Sequence, residues 1–376
     1  MRILTTCVDP NPDAGAPGVT LRLVAAQRDL GHDVELISYA DLPKLRGDNL
    51  KPTYFAIYLA AAFLVKKERR NVDVIDTSDG QAWILFAAAR LFGNRPLLVN
   101  RSHRPIGVFR TALIANICST GKKPTLRART YMEWRYREFL WSFDLADVGL
   151  VLNQDEASFV QKHTKLPAKS CHVITNSIAT AFLGLSAPEQ PDRHAPLEIV
   201  QIGAFSMDKG IETSIPALTT FIKNHADATV SFLGTGIAKD SVLSRFPPDL
   251  HHRIRVVPKF VNADLPALLE RAQIIVHPSH FEGYAGSVKE AMACGLAPVI
   301  SDIPGPTEYV VDGRNGLVVP CQDEAALIAS LEQLYCDRDL LFQLRSAAHH
   351  DVQPYDWKSV AASQLEIFEQ MRTGSI

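Results

Sequence analysis

Short runs of β-branched and aliphatic residues alternate along this chain with amphipathic helical stretches, and that alternation leaves few folds open. In the first half the runs are Arg2 to Thr6, Val34 to Ser38, Val72 to Asp76, Pro96 to Asn100 and Val148 to Leu152. In the second they are Leu197 to Gly203, Thr229 to Gly234, Ile254 to Pro258, Ile274 to His277, Ala297 to Ser301 and Gly316 to Val319. Strands joined through helices return parallel to one another, so the pattern predicts parallel sheets covered by helices. At 376 residues the chain exceeds one typical core. The stretch LSAPEQPDRHAP, residues 185–196, places three prolines among polar residues and reads as a linker. The expected organisation is a first Rossmann-like domain over residues 1–184 and a second from 185 to 350, facing across a cleft. Ligands in such folds sit at the carboxyl ends of the strands.

Composition excludes several other classes. The six cysteines, Cys7, Cys118, Cys171, Cys294, Cys321 and Cys336, show no paired short spacing, which argues against a disulfide framework or a thiolate metal site and for a reducing compartment. MRILTTCVDPNP lacks the layout of a secretory signal. The longest apolar run, Tyr54 to Val65, is too short to span a bilayer. A cytoplasmic protein is expected. Residues 1–180 carry 24 Lys and Arg against 17 Asp and Glu, and the remainder 15 against 24. Much of the basic excess lies between Arg101 and Arg137, interleaved with Tyr131, Trp134 and Tyr136. Its bland reading is a solvated helix face. The sharper one is contact with an anionic membrane surface, or with a phosphorylated or lipid-linked acceptor, supported by Lys66, Lys67, Arg69 and Arg70 after the apolar run. Nucleic acid fits less well, since no recognition module is visible.

Glycine-bearing turns follow successive strands of the second half: Gly203 with Lys209 and Gly210, then Gly234 and Gly236, then Gly283 and Gly286. Glycine permits close backbone approach, and a helix start offers unpaired amides to an anion. Any one such turn is ordinary in an α/β connection; three in succession, one with a lysine, point to a phosphate-bearing ligand. In HPSHFEGYAGSVKEAMACG, residues 277–295, Ser287 and Glu290 match a capping box, with Ser287 as N-cap. Glu290 thus has a structural explanation. Glu282 lies outside the helix beside Phe281 and Tyr284, where it is either a solvated loop acid or a ligand for sugar hydroxyls. No GxGxxG follows a strand, which removes a dinucleotide-dependent oxidoreductase.

FEGYAGSVKEAMACGLAPVISDIPGPTEYVVDGRNGLVVP, residues 281–320, resembles the signature of the group 1 glycosyltransferases, retaining enzymes of the GT-B fold, with Glu282 and Glu290 as its glutamate pair. The resemblance extends to VQIGAFSMDKG (200–210), SFLGTG (231–236), HPS (277–279), PDAGAPG (12–18), NRSHR (100–104), ITNSI (174–178) and YDWKSVAASQLEIF, the last similar to a helix that crosses back to the first domain and here assigned to residues 351–376. It implies that Glu282 holds donor sugar hydroxyls near the reacting carbon, that Lys209 stabilises the leaving diphosphate and that His103 hydrogen-bonds the donor sugar. It further implies that Glu290 binds ribose and that donor contacts come from Gly18, Gly203, Gly234, Lys259, Phe260 and the run Gly283, Tyr284, Ala285, Gly286 and Ser287. The implied reaction moves a sugar from a nucleoside-diphosphate sugar to a saccharide, lipid-linked or other hydroxyl acceptor with retention, without cofactor or metal, since the nucleotide sugar is a substrate. Three positions depart from the pattern: Ala204 stands where an arginine is usual, Ala285 where the second loop glycine is usual, and Ser177 where glycine follows asparagine. Ala204 keeps open a sugar-nucleotide-binding protein without catalysis.

Overall fold

A computed structural model describes residues 1–7, 10–12, 15–41, 51–65, 71–78, 80, 82–93, 95–103, 125–190, 195–353 and 356–374. The chain divides into two compact units, Met1–Ser177 with Trp357–Ile376, and Ile178–Asp356. Lys66, Lys67, Arg69, Arg70, Arg104, Arg110, Lys122 and Lys123, named above for their charge, lie outside the described residues, as do residues 13–14 of the first glycine-rich segment and 191–194 of the linker.

The first unit holds six strands: β1 (Arg2–Cys7), β2 (Asp33–Ser38), β3 (Val74–Ser78), β4 (Leu97–Arg101), β5 (Val148–Val151) and β6 (Cys171–Val173). Their order is β2-β1-β3-β4-β5-β6, and all pairs are parallel. The helices are α1 (Gly15–Asp29), α2 (Lys51–Val65), α3 (Trp83–Ala89), α4 (Leu126–Asp144) and α5 (Gln154–His163), joined by α10 (Trp357–Thr373) from the end of the chain. Parallel strands covered on both faces must be apolar on both, and these are. Ile3, Val74, Val99 and Val148 pack on one face with Val24 of α1 and Leu365 and Phe368 of α10. Leu4, Ile75 and Leu98 pack on the other with Phe55, Phe86 and Phe139. The last helix is therefore part of the first unit's core.

The second unit has the strands β7 (Leu197–Ile202), β8 (Ala228–Leu233), β9 (Ile254–Val257), β10 (Ile274–His277), β11 (Ala297–Ser301) and β12 (Leu317–Val319). All are parallel, in the order β12-β11-β10-β7-β8-β9. Its longer helices are α6 (Ile211–Asn224), α7 (Gly286–Ala293), α8 (Glu324–Cys336) and α9 (Arg338–Val352). One face of the sheet is filled by Ile199, Val230, Ile274 and Val299 with Leu218, Phe221 and Leu331. The other is filled by Val200, Leu233, Ile275 and Ile300 with Val288 and Met292. Among the described residues no helix is long and apolar enough to cross a membrane.

Candidate functional site

In the second unit the strand order reverses between β7 and β10. The carboxyl ends of the two strands on either side of such a reversal form the natural ligand crevice of an open parallel sheet. Lys209 follows the first of these strands and Glu282 the second. Their approach depends on one glycine. Lys209 ends a 3₁₀ turn, Met207–Lys209, and Gly210 then adopts φ 71° to start α6. A Cβ at Gly210 would stand 1.9 Å from the Pro278 carbonyl oxygen, so only glycine lets this turn lie against the chain leaving β10. The His280 amide donates to the Asp208 carbonyl at 2.9 Å, and Gln201 Nε2 donates to the Lys209 carbonyl at 2.9 Å.

The result is a charged cluster at the strand ends. The Lys209 ammonium donates to Glu282 Oε1. His277, the last residue of β10 and buried, donates from Nε2 to the same oxygen at 3.0 Å. Because a carboxylate only accepts, this bond requires the proton on Nε2. Glu282 Oε2 takes part in neither bond. Burial alone raises the Glu282 carboxyl, but the Lys209 charge and the His277 hydrogen bond outweigh it and hold the group well below the usual carboxylate range. Glu282 is thus an anion at any physiological pH.

The glycines of the neighbouring turns are tied to specific contacts. Gly203 lies at φ 134° beside the aliphatic stem of Lys209, and Gly234, at φ 74°, is covered by the Phe260 ring, which would come within 3.0 Å of a Cβ there. Gly305 backs the Glu282 loop, where a Cβ would meet the Gly283 carbonyl oxygen at 3.0 Å. Lys259 and Ala204 are exposed, and Ala204 brings no charge to its turn.

The capping-box expectation is corrected. Helix α7 begins at Gly286 with Ala285 as N-cap, in the left-handed region at φ 57° and ψ 56°, and this N-cap makes no side-chain hydrogen bond to the helix. Ser287 lies inside the first turn. Glu290, instead of reaching back, accepts from Asn262 Nδ2 at 3.1 Å. The loop is held from outside the helix, since the Tyr309 hydroxyl is 2.7 Å from the Ala285 carbonyl oxygen and 3.1 Å from that of Tyr284. Gly283, Tyr284 and Ala285 are buried and Gly286 is exposed.

In the first unit His103 follows β4, with its Nε2 3.1 Å from Oγ of Ser78, the last residue of β3. The neighbouring Arg101 is buried against Asp76 at 2.6 Å and donates to Gln364 of α10 at 3.1 Å. Gly18 lies within the first turns of α1, not in a loop before it, and a Cβ there would meet the Pro12 carbonyl oxygen at 2.5 Å.

Sequence reasoning did not single out His277, Asn262 or Tyr309 as members of this constellation. His277 was visible only as the start of HPS. Nothing local marks Asn262 or Tyr309, whose partners lie 28 and 24 to 25 residues away.

Two family models match the chain, one described as Glycosyltransferase Family 4 over residues 14–182 and one as Glycosyl transferases group 1 over residues 196–337. Glycogen synthase of Mycobacterium tuberculosis is 28% identical over 207 residues, 54% of this chain and 49% of that protein, so the chain spans about half the length of this curated relative. Among solved structures, sucrose-phosphate synthase from Thermosynechococcus elongatus superposes with a TM-score of 0.79 at 18% identity, covering 99% of each chain. HepE of Anabaena, solved in complex with UDP, superposes with a TM-score of 0.71 at 16% identity over 98% of this chain and 100% of its own. At these identities the structural likeness establishes the two-domain α/β GT-B fold. With one glycosyltransferase family model on each half and that fold throughout, this chain belongs to the group 1 glycosyltransferases.

Proposed function

We propose that the chain transfers a sugar from a nucleoside-diphosphate sugar to a hydroxyl acceptor with retention at the anomeric carbon and without a metal. The observation that carries this reading is the Lys209–Glu282–His277 cluster at the strand-order reversal. Glu282 Oε1 is occupied by the two donors, so Oε2 is the oxygen left to accept from a donor sugar hydroxyl. Lys209, partly exposed, has a face for the diphosphate. As the bond from the anomeric carbon to the diphosphate breaks, negative charge grows on the leaving oxygen. Lys209 and the amides of the glycine-bearing turns offset that charge, each such contact being worth about 3 kcal/mol where water is excluded. The acceptor oxygen bonds to the anomeric carbon on the same face, and its proton passes to the departing diphosphate oxygen. Glu290, oriented by Asn262, is assigned to the ribose, and His103 to a hydroxyl of the donor sugar. The complex of HepE with UDP, a protein of the same fold, supports a nucleoside-diphosphate donor.

The acceptor side of the proposal rests on α4, where Arg127, Arg129 and Arg137 are exposed alongside Leu126, Tyr131 and Trp134. Exposed aromatic and cationic groups together suit a phosphorylated lipid-linked acceptor at an anionic membrane surface. Cosedimentation with anionic vesicles should be seen at low salt and fade at high salt; no association at low salt would remove the membrane from the reading.

Incubation with nucleotide sugars and hydroxyl acceptors should release nucleoside diphosphate. Glu282→Ala should lower turnover by roughly two to three orders of magnitude while changing nucleotide affinity little. Tight donor binding by the native chain with no turnover on any acceptor would replace an enzyme by a binding protein.

A further inference from the structure

Directly beneath the candidate donor loop lies a lysine that the proposed chemistry does not use. Lys289, one residue before Glu290, is only 1% exposed and is among the largest fully buried side chains of the protein. Burial of an ammonium is unfavourable unless its surroundings compensate, which directs attention to what this one touches. Its Nζ donates to the Tyr284 hydroxyl and lies 5.0 Å from the centre of the Tyr284 ring and 5.2 Å from that of Tyr309. The two rings are 5.4 Å apart. Tyr309 in turn bonds the carbonyls of Tyr284 and Ala285. One ammonium therefore ties together the two aromatic side chains that fix the backbone between Glu282 and Gly286.

We propose that Lys289 is a positioning residue, which through Tyr284 and Tyr309 holds the loop from Glu282 to Gly286 in the shape that receives the donor. This rests on the glycosyltransferase reading given above for the loop's role, though not for its rigidity. The loop needs such support because Ala285 sits in the left-handed region, which is unfavourable for a residue with a Cβ. Without the lysine this bond to the tyrosine hydroxyl is lost and the loop relaxes toward ordinary backbone angles.

Lys289→Met keeps the length and removes the charge, and Tyr284→Phe removes the hydroxyl at the other end of the contact. Each should raise the donor KM about tenfold with a smaller change in kcat, and the double variant should be no worse than Lys289→Met alone, because the contacts of the lysine include the one that Tyr284→Phe removes. Lys289→Met should keep or raise the unfolding midpoint, which a merely structural role would lower. Amide hydrogen exchange at residues 283–287 should quicken in both variants. Unchanged exchange there, or fully additive KM effects, would overturn the proposal. Should the native chain neither bind UDP nor turn over any nucleotide sugar, the functional reading fails, and the exchange measurement still decides the positioning role.

Discussion

Lys289 is buried and Glu282 partly buried in one unit, seven residues apart, and burial acts on them with opposite net outcome. For Glu282 the unfavourable burial is outweighed by the Lys209 ammonium and the His277 hydrogen bond, which favour the charged form. Lys289 faces the Tyr284 hydroxyl and two aromatic rings, and burial pushes it down to about 7. The signs for stability follow. Glu282 contributes stability that is present above its unfolded value and lost as pH falls through its lowered folded value. For Lys289 the unfolded chain binds more protons between about pH 7 and its ordinary value near 10, so stability rises with pH in that window by up to about 1.4 kcal/mol per unit. Raised cysteine values, such as those of Cys171 and Cys294, pull stability the other way at alkaline pH, so the Lys289 contribution is read as a difference: between pH 7 and pH 9.5, urea unfolding should show stability changing more favourably in the native chain than in Lys289→Met. Equal pH dependence in the two proteins would contradict it. Glu282, Glu290 and Lys209 could be singled out in the sequence because their spacing and glycine neighbours are local, although the capping job read for Glu290 is not the one the structure shows, whereas no local pattern marks Lys289.

At the scale of elements, the start of α7 shows where a local pattern misleads. Ser-x-x-Glu over residues 287–290 satisfies the capping-box spacing, yet the helix begins one residue before that serine. Tyr309 takes up the carbonyls of Tyr284 and Ala285, and Asn262 draws Glu290 away from the helix start. Neither contact is visible to a four-residue motif. Strand β6 was missed for a related reason: Cys171–Val173 is three residues long and only partly buried, and it is a strand because Leu150 and Val151 lie beside it in register. The helix start also yields a test. Apart from its chain neighbours and its own helix, Gly286 has no atom within 4 Å of where a Cβ would stand, and its φ lies outside the left-handed region. Its backbone does not demand glycine and the position is open, so on the proposed reading it is the donor that comes close to this amide. Gly286→Ala should leave stability unchanged or raise it by about 0.4–1 kcal/mol, while the donor KM rises about tenfold. An unaltered KM would mean that nothing approaches this amide closely.

For the molecule as a whole, each unit is a six-stranded parallel sheet buried on both faces, and the first is completed from both ends of the chain. Phe368 and Leu365 fill the same cluster as Ile3 and Val99, and Gln364 accepts from the buried Arg101. The sequence by itself determined the alternation of strands and helices, hence parallel sheets, because side-chain periodicity and β-branching act within a few residues. It also determined the glycine turns and the two glutamates, whose meaning depends on spacing along the chain. Only the tertiary structure decided that Gly210 must yield to the Pro278 carbonyl, that Lys209 and His277 share one oxygen of Glu282, and that Lys289 lies inside. Those outcomes depend on which strand ends come together at the reversal of strand order, and pairings across 73 residues, such as Lys209 with Glu282, are set by the packing of the whole sheet.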